Sequence, residues 1–168
     1  MVGWILEEIQ LLEAYRAHVA EREELGVPPK ALDAEWTTEL VKLLQDPPKG
    51  EEDFLLDLLA NRVPPGVDEA AYVKAGFLSA LVKDETASPI IDKPLAVELL
   101  GNMLGGYNVA TLVDLLDNRE LADKAATQLK NITLVFDAFY DISAKADSGN
   151  PYACLLYTSD AADDFDCV

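Results

Sequence analysis

Asp57-Leu58-Leu59-Ala60-Asn61-Arg62 returns 57 residues later as Asp114-Leu115-Leu116-Asp117-Asn118-Arg119. Upstream, Val41-Lys42-Leu43-Leu44 returns after 56 residues as Val97-Glu98-Leu99-Leu100. Downstream, Asp68 with Ala70-Ala71 is echoed after 55 residues by Asp123 with Ala125-Ala126. Three matches in the same order at a near-constant offset argue for a structural repeat over a chance likeness of leucine-rich helices. Apolar residues recur at three- and four-residue spacing, and no stretch alternates cleanly as a strand would. Helical units that bury each other's apolar faces stack into an α-solenoid. The expected fold is all-α, a HEAT-like α-solenoid of about eight antiparallel helices.

Punctuation sets the helix limits. The first helix ends at Gly26, with Pro28 and Pro29 beyond it. Asp33 is placed to cap a second helix whose face is Trp36, Leu40, Leu43 and Leu44, stopped by Pro47, Pro48 and Gly50. A third helix carries Phe54, Leu55, Leu58 and Leu59. It meets Val63-Pro64-Pro65-Gly66-Val67-Asp68, a rigid turn in which neither proline can continue a helix. Asp68 is expected to cap the fourth helix, with Glu69 favoured in its first turn; the face there is Val73, Phe77, Leu81 and Val82. Ser88-Pro89 breaks the loop from about Lys83 to Ile91, and Asp92 is placed to cap a fifth helix with Pro94 in its first turn. That helix carries Leu95, Leu99, Leu100 and Met103. Gly105-Gly106 follow, and Asn108 is expected to cap a sixth helix with Leu112, Leu115 and Leu116. Asp117 to Glu120 has capping-box spacing before a seventh helix with Leu121, Ala125 and Leu129. A final helix with Ile132, Val135, Phe136 and Phe139 is expected to end near Gly149.

Composition narrows the function classes. The 168 residues suit one domain. Half are apolar, enough for a sizeable core, yet no apolar run reaches the ~20 residues of a membrane span. Met1-Val2-Gly3-Trp4 lacks the basic start of a signal peptide, so a cytoplasmic protein is the default. A formal net charge of −18 repels phosphate backbones and makes nucleic acid an unfavourable partner. It favours solubility and steers basic partners. Cys154 and Cys167 match no zinc spacing, and His18 has no second ligand at helical spacing.

Few side chains suggest chemistry. Glu51-Glu52-Asp53 is better read as a first-turn acidic cluster favouring the helix dipole than as a cation site. Gly101, Gly105 and Gly106 follow no strand and precede no Lys-Ser/Thr pair, so they read as a helix–helix turn beside which Tyr107 packs. The repeated pairs Asn61-Arg62 and Asn118-Arg119 carry two readings. One is capping of neighbouring helix ends. The other makes Arg62 and Arg119 two repeat-related anchors of an interaction surface, since arginine is enriched at binding hot spots. No catalytic, cofactor-binding or metal residue is expected.

Longer strings carry a family resemblance. They are Leu12-Glu-Ala-Tyr-Arg-Ala-His-Val-Ala-Glu-Arg22, the unbroken run from Gly50 through Val63-Pro-Pro-Gly-Val-Asp68 to Leu78, then Glu98–Gly101, Gly105–Asn108 and Phe136–Asp141. In order and spacing these resemble the N-terminal domain of the bacterial aconitase B family. The resemblance covers residues 12–153. It leaves 1–11 as an unexplained extension, which could lengthen the first helix through Ile5, Ile9 and Leu12. It leaves 154–168 as a non-family tail, expected to be artefactual or disordered. It implies a cytoplasmic hydro-lyase of the citric acid cycle that interconverts citrate and isocitrate through cis-aconitate and also acts on 2-methylisocitrate. The implied [4Fe–4S] cluster and its ligands belong to catalytic domains outside this segment, so no cofactor is expected here and the fragment alone is expected to be inactive. The implied partners are those catalytic domains, with a homodimer or another protein as further possibilities. Some members of the family bind messenger RNA, which the charge of this segment opposes. The alternative is a free-standing helical-repeat scaffold that binds another protein.

Overall fold

A computed structural model describes residues 2–132 and 138–161, with side chains for 11–132 and 138–156. Nine α-helices run through the described residues: α1 Val2–Glu24, α2 Ala34–Gln45, α3 Glu52–Asp57, α4 Glu69–Val82, α5 Lys93–Gly101, α6 Val109–Asp114, α7 Ala122–Lys130, α8 Phe139–Asp147 and α9 Pro151–Ala161. No strand occurs among them. The backbone is helical from Val2, so the extension lengthens the first helix.

The repeat takes physical form as two helical triplets, α2–α3–α4 and α5–α6–α7. In each, the first helix packs on the third, and α4 of the first triplet packs on α5 of the second. Matching positions are buried in both: Leu43 and Leu44 with Leu99 and Leu100, Leu55 with Leu112, Leu58 and Leu59 with Leu115 and Leu116, Ala70 and Ala71 with Ala125 and Ala126. The middle helices end differently. α3 widens into a π-turn over Leu58–Arg62, whereas α6 tightens into a 3-10 turn over Leu115–Asp117. α9 then packs on both α7 and α8. One apolar core runs from Leu12 and Tyr15 on α1 to Leu156 on α9.

Several stops and caps form as the sequence dictates. Gly26 has φ +66 and closes α1, with Val27 N–H donating to Arg22 O at 3.0 Å. Asp33 Oδ1 accepts Trp36 N–H at 2.9 Å, and Asp92 Oδ1 accepts Leu95 N–H at 2.8 Å, so each triplet opens on an aspartate cap. Gly149, at φ +87, closes α8 near its expected end.

Other expectations fail for local reasons. Asp68 occupies the N-cap of α4, but its side chain makes no capping bond. Its carboxylate lies back over Gly66, where a Cβ would be 3.4 Å from Oδ2. Asn108 does not cap α6. Its Nδ2 reaches backward to Leu100 O at 2.6 Å and Met103 O at 3.2 Å, closing the end of α5. The capping box at Asp117–Glu120 does not form. Asn118 Oδ1 instead accepts Glu120 N–H at 3.0 Å and Leu121 N–H at 3.2 Å, because Asp117 is engaged by Lys145 and Asn150. Ile132 precedes the last but one helix, and Val135 and Phe136 lie outside the described residues. Phe139 is 45% exposed and Ile142 holds the core position on α8 instead. Residues 154–161, expected to be artefactual or disordered, continue α9, which buries Ala153 and Leu156.

Candidate functional site

The ends of the short middle helices set the geometry around the two arginines. Leu59 lies within the π-turn, and Pro64, five residues on, has no N–H to give its carbonyl. Lys74 of α4 supplies the donor: Nζ lies 2.7 Å from Leu59 O. Lys74 is 2% exposed, and burial pushes its ammonium down from 10.5 to about 8. The matching carbonyl of the second triplet, Leu116 O, takes Asn150 Nδ2 at 2.8 Å. The first helices show the same device, since Leu44 O accepts Ser88 Oγ at 2.5 Å while its counterpart Leu100 O takes Asn108 Nδ2. Helix ends leave backbone carbonyls without intrahelical partners, and burial makes an unmatched one costly. Here each repeated Leu-Leu pair ends in a carbonyl closed by a side chain from elsewhere.

Arg62 and Arg119 are not equivalent in their surroundings. Arg62 is half-buried; its carbonyl accepts Leu32 N–H at 2.8 Å, tying the loop after α1 to the π-turn. Arg119 is exposed. Neither guanidinium makes a hydrogen bond or ion pair to a described residue. The Arg62 charge acts on the phenol of Tyr15. Burial raises that phenol above its usual range, Arg62 opposes the rise and Asp57 adds to it. Tyr15 Oη has no hydrogen-bond partner among the described residues. Asn118 Oδ1 closes the turn before α7, whose N-cap is Leu121, and Asn61 Nδ2 donates to Asp57 Oδ1 at 2.7 Å.

The remaining candidates resolve into structure. His18 Nε2 accepts Lys30 N–H at 3.1 Å and its ring meets Trp36 edge-on, so it fastens the loop after α1. Glu51 pairs with Arg16 at 2.5 Å, whose guanidinium also lies 4.8 Å from the Phe54 ring centre. Glu52 Oε2 accepts Gly50 N–H at 2.7 Å. Among the described residues no three His, Cys, Asp or Glu side chains gather to hold a metal. Cys154 Sγ points at Ala146 O, 3.6 Å away, and Cys167 lies outside the described residues.

The two glycine-bearing turns meet. Leu104 N–H donates to Pro65 O at 2.7 Å, and Tyr107 Oη donates to Val67 O at 3.1 Å. A Cβ on Gly105 would lie 1.9 Å from Gly66 O, so only glycine admits this backbone approach. Tyr107 packs edge-on against Tyr72 at 5.4 Å, as a packing residue should, but on the surface.

Lys74, Asn150, Ser88 and the backward reach of Asn108 were not evident from sequence. Lys74 left one signal: it interrupts the buried face of α4, between Ala70, Ala71, Phe77 and Leu78.

Residues 14–165 match the family model described as the aconitate B N-terminal domain. The chain is similar to aconitate hydratase B of Pseudomonas aeruginosa, 65% identical over 143 residues, which are 85% of this chain and 16% of that protein. It is 59% identical over 143 residues to aconitate hydratase B of Escherichia coli, with the same coverage. It is 54% identical over 145 residues to that of a Synechocystis species, covering 85% of this chain and 17% of the relative. The chain thus spans about one sixth of the length of these relatives.

Proposed function

The chain belongs to the aconitate B N-terminal domain family, and from that premise we propose that it is the interaction and assembly domain of a cytoplasmic aconitate hydratase B. The family match over residues 14–165 carries this reading. In the whole protein the hydro-lyase reaction, citrate to isocitrate through cis-aconitate and the dehydration of 2-methylisocitrate, is the work of the remaining polypeptide. A [4Fe–4S] cluster takes cysteine thiolates, and the described residues, with Cys154 turned to a backbone carbonyl, do not fit one. Within this reading the cluster is held by the catalytic part, and this segment supplies surface. The serial packing of α2 on α4, α4 on α5, α5 on α7 and α7 on α9 supports a HEAT-like solenoid, an architecture that presents extended faces to partners.

Within this reading Arg62 and Arg119 are anchors toward the catalytic part. The test uses the P. aeruginosa relative with this chain grafted in place of its matching segment. R62A and R119A should leave the unfolding free energy of the isolated chain, from urea titration, within about 0.5 kcal/mol of the parent. They should also speed proteolytic release of the domain from the graft. Loss of stability with unchanged release would return both residues to a structural role.

A further inference from the structure

Four large apolar side chains stand out of the surface where the two glycine-bearing turns meet: Val67 is 73% exposed, Leu104 66%, Tyr72 65% and Tyr107 40%. They form one platform. Tyr107 joins Val67 through its hydroxyl and Tyr72 through its ring, while Leu104 and Gly105 are fastened to Pro65 and Gly66 by backbone. Pro64 and Pro65 fix the chain on one side, and Gly106, at φ +86, turns it on the other. A surface held this way loses little freedom when something binds it, and tyrosine offers large contact area for few rotatable bonds.

The charges beside the platform indicate its occupant. Asp68, released from capping, and Glu69 are both exposed, and neither carboxylate pairs with a described residue. Two open carboxylates next to two tyrosine rings favour a cation, through charge-assisted hydrogen bonds and cation–π contact. A second copy of this chain, at a net charge of −18, would bring like charge to like.

We propose that the Val67–Tyr72–Leu104–Tyr107 platform is the face on which this domain docks to the catalytic part of the aconitate hydratase B polypeptide, against a segment presenting arginine or lysine beside an apolar side chain. This rests on the assembly reading above, and the source is the same polypeptide because five sixths of each relative lies outside the matching segment.

Hydroxyl-radical footprinting read by mass spectrometry tests it. In the isolated chain Tyr72 and the 81% exposed Tyr140 should both oxidise readily. In the graft described above, Tyr72 and Leu104 should oxidise about tenfold more slowly, a protection equivalent to ~1.4 kcal/mol of closure. D68N/E69Q in the graft should return at least half of that lost reactivity. Unchanged oxidation of Tyr72 and Leu104 in the graft, with protection elsewhere on the chain, would overturn the platform and leave the assembly reading standing. Protection nowhere would overturn both. Protection insensitive to D68N/E69Q would overturn the cationic counter-surface. Should the graft not fold, the intact relative and its own isolated segment decide through the peptides matching 64–72 and 104–107.

Discussion

Removing the buried ammonium of Lys74 should change how stability depends on pH more than stability itself. The folded pKa of about 8 lies below the unfolded value near 10.5, so between these values the unfolded state binds more protons. Stability therefore rises with pH across that window, and below pH 8 the full cost of burying a charge is present, about 3 kcal/mol. K74M abolishes that cost but leaves Leu59 O without its donor, a loss of roughly 1–3 kcal/mol. At pH 7 the two effects nearly cancel. From pH 7 to pH 10 the parent chain should gain about 2.5 kcal/mol relative to K74M, which is roughly 1 M in urea midpoint. Urea titrations of both proteins at four pH values across that span measure it, with all other titrating groups cancelling in the difference. A difference that stays flat from pH 7 to pH 10 would show that Lys74 is not charged in a desolvated site, and the account of the π-turn would fail with it.

Three further outcomes follow from the geometry. N150A removes the donors to Leu116 O and Asp117 and the acceptor for Tyr152 and Ala153 N–H, so it should cost ~1–3 kcal/mol and speed hydrogen exchange in α9 selectively. G105A places a Cβ 1.9 Å from a backbone oxygen and should separate the two turns, lowering the thermal midpoint and exposing the Leu104 amide to exchange. Exchange there as slow as in the parent would refute the close approach. The Asp117 carboxyl is held below its usual range, first by its hydrogen bond from Lys145 and then by Asn150. Its contribution is present above the ordinary carboxylate pKa and lost as pH falls through the lowered one, and K145A should move its NMR titration upward.

How far the sequence was legible depended on distance along the chain. Helix limits written in adjacent residues, such as the Asp33 and Asp92 caps and the Gly26 and Gly149 stops, formed where expected. The repeat also surfaced, because Leu43-Leu44 and Leu58-Leu59 bury the same way as their partners 56 and 57 residues on. What stayed hidden was the closure of those helix ends, since the donors Ser88, Lys74 and Asn150 sit 44, 15 and 34 residues from the carbonyls they meet. No local pattern announces such a pairing. Asp68 and Asn108 both occupy cap positions without capping: Asn108 turns back to the carbonyls of Leu100 and Met103, and Asp68 makes no capping bond. α9 was missed because Cys154-Leu155-Leu156 shows no repeating stripe, yet Asn150 starts the helix and α7 gives it a face to cover. Of the surface, the sequence singled out only the repeated pair Arg62 and Arg119. The exposed platform arises from two turns about 40 residues apart, and no helix periodicity reaches across them.

The central claim is that this chain contributes assembly, not chemistry, to an aconitate hydratase B. The most direct measurement is the conversion of citrate to isocitrate by the P. aeruginosa relative in three forms: intact, lacking its matching segment, and carrying this chain in that place. The graft should recover the activity that the deletion loses, while this chain alone converts nothing. A folded graft no more active than the deletion, or conversion by the isolated chain, would contradict it.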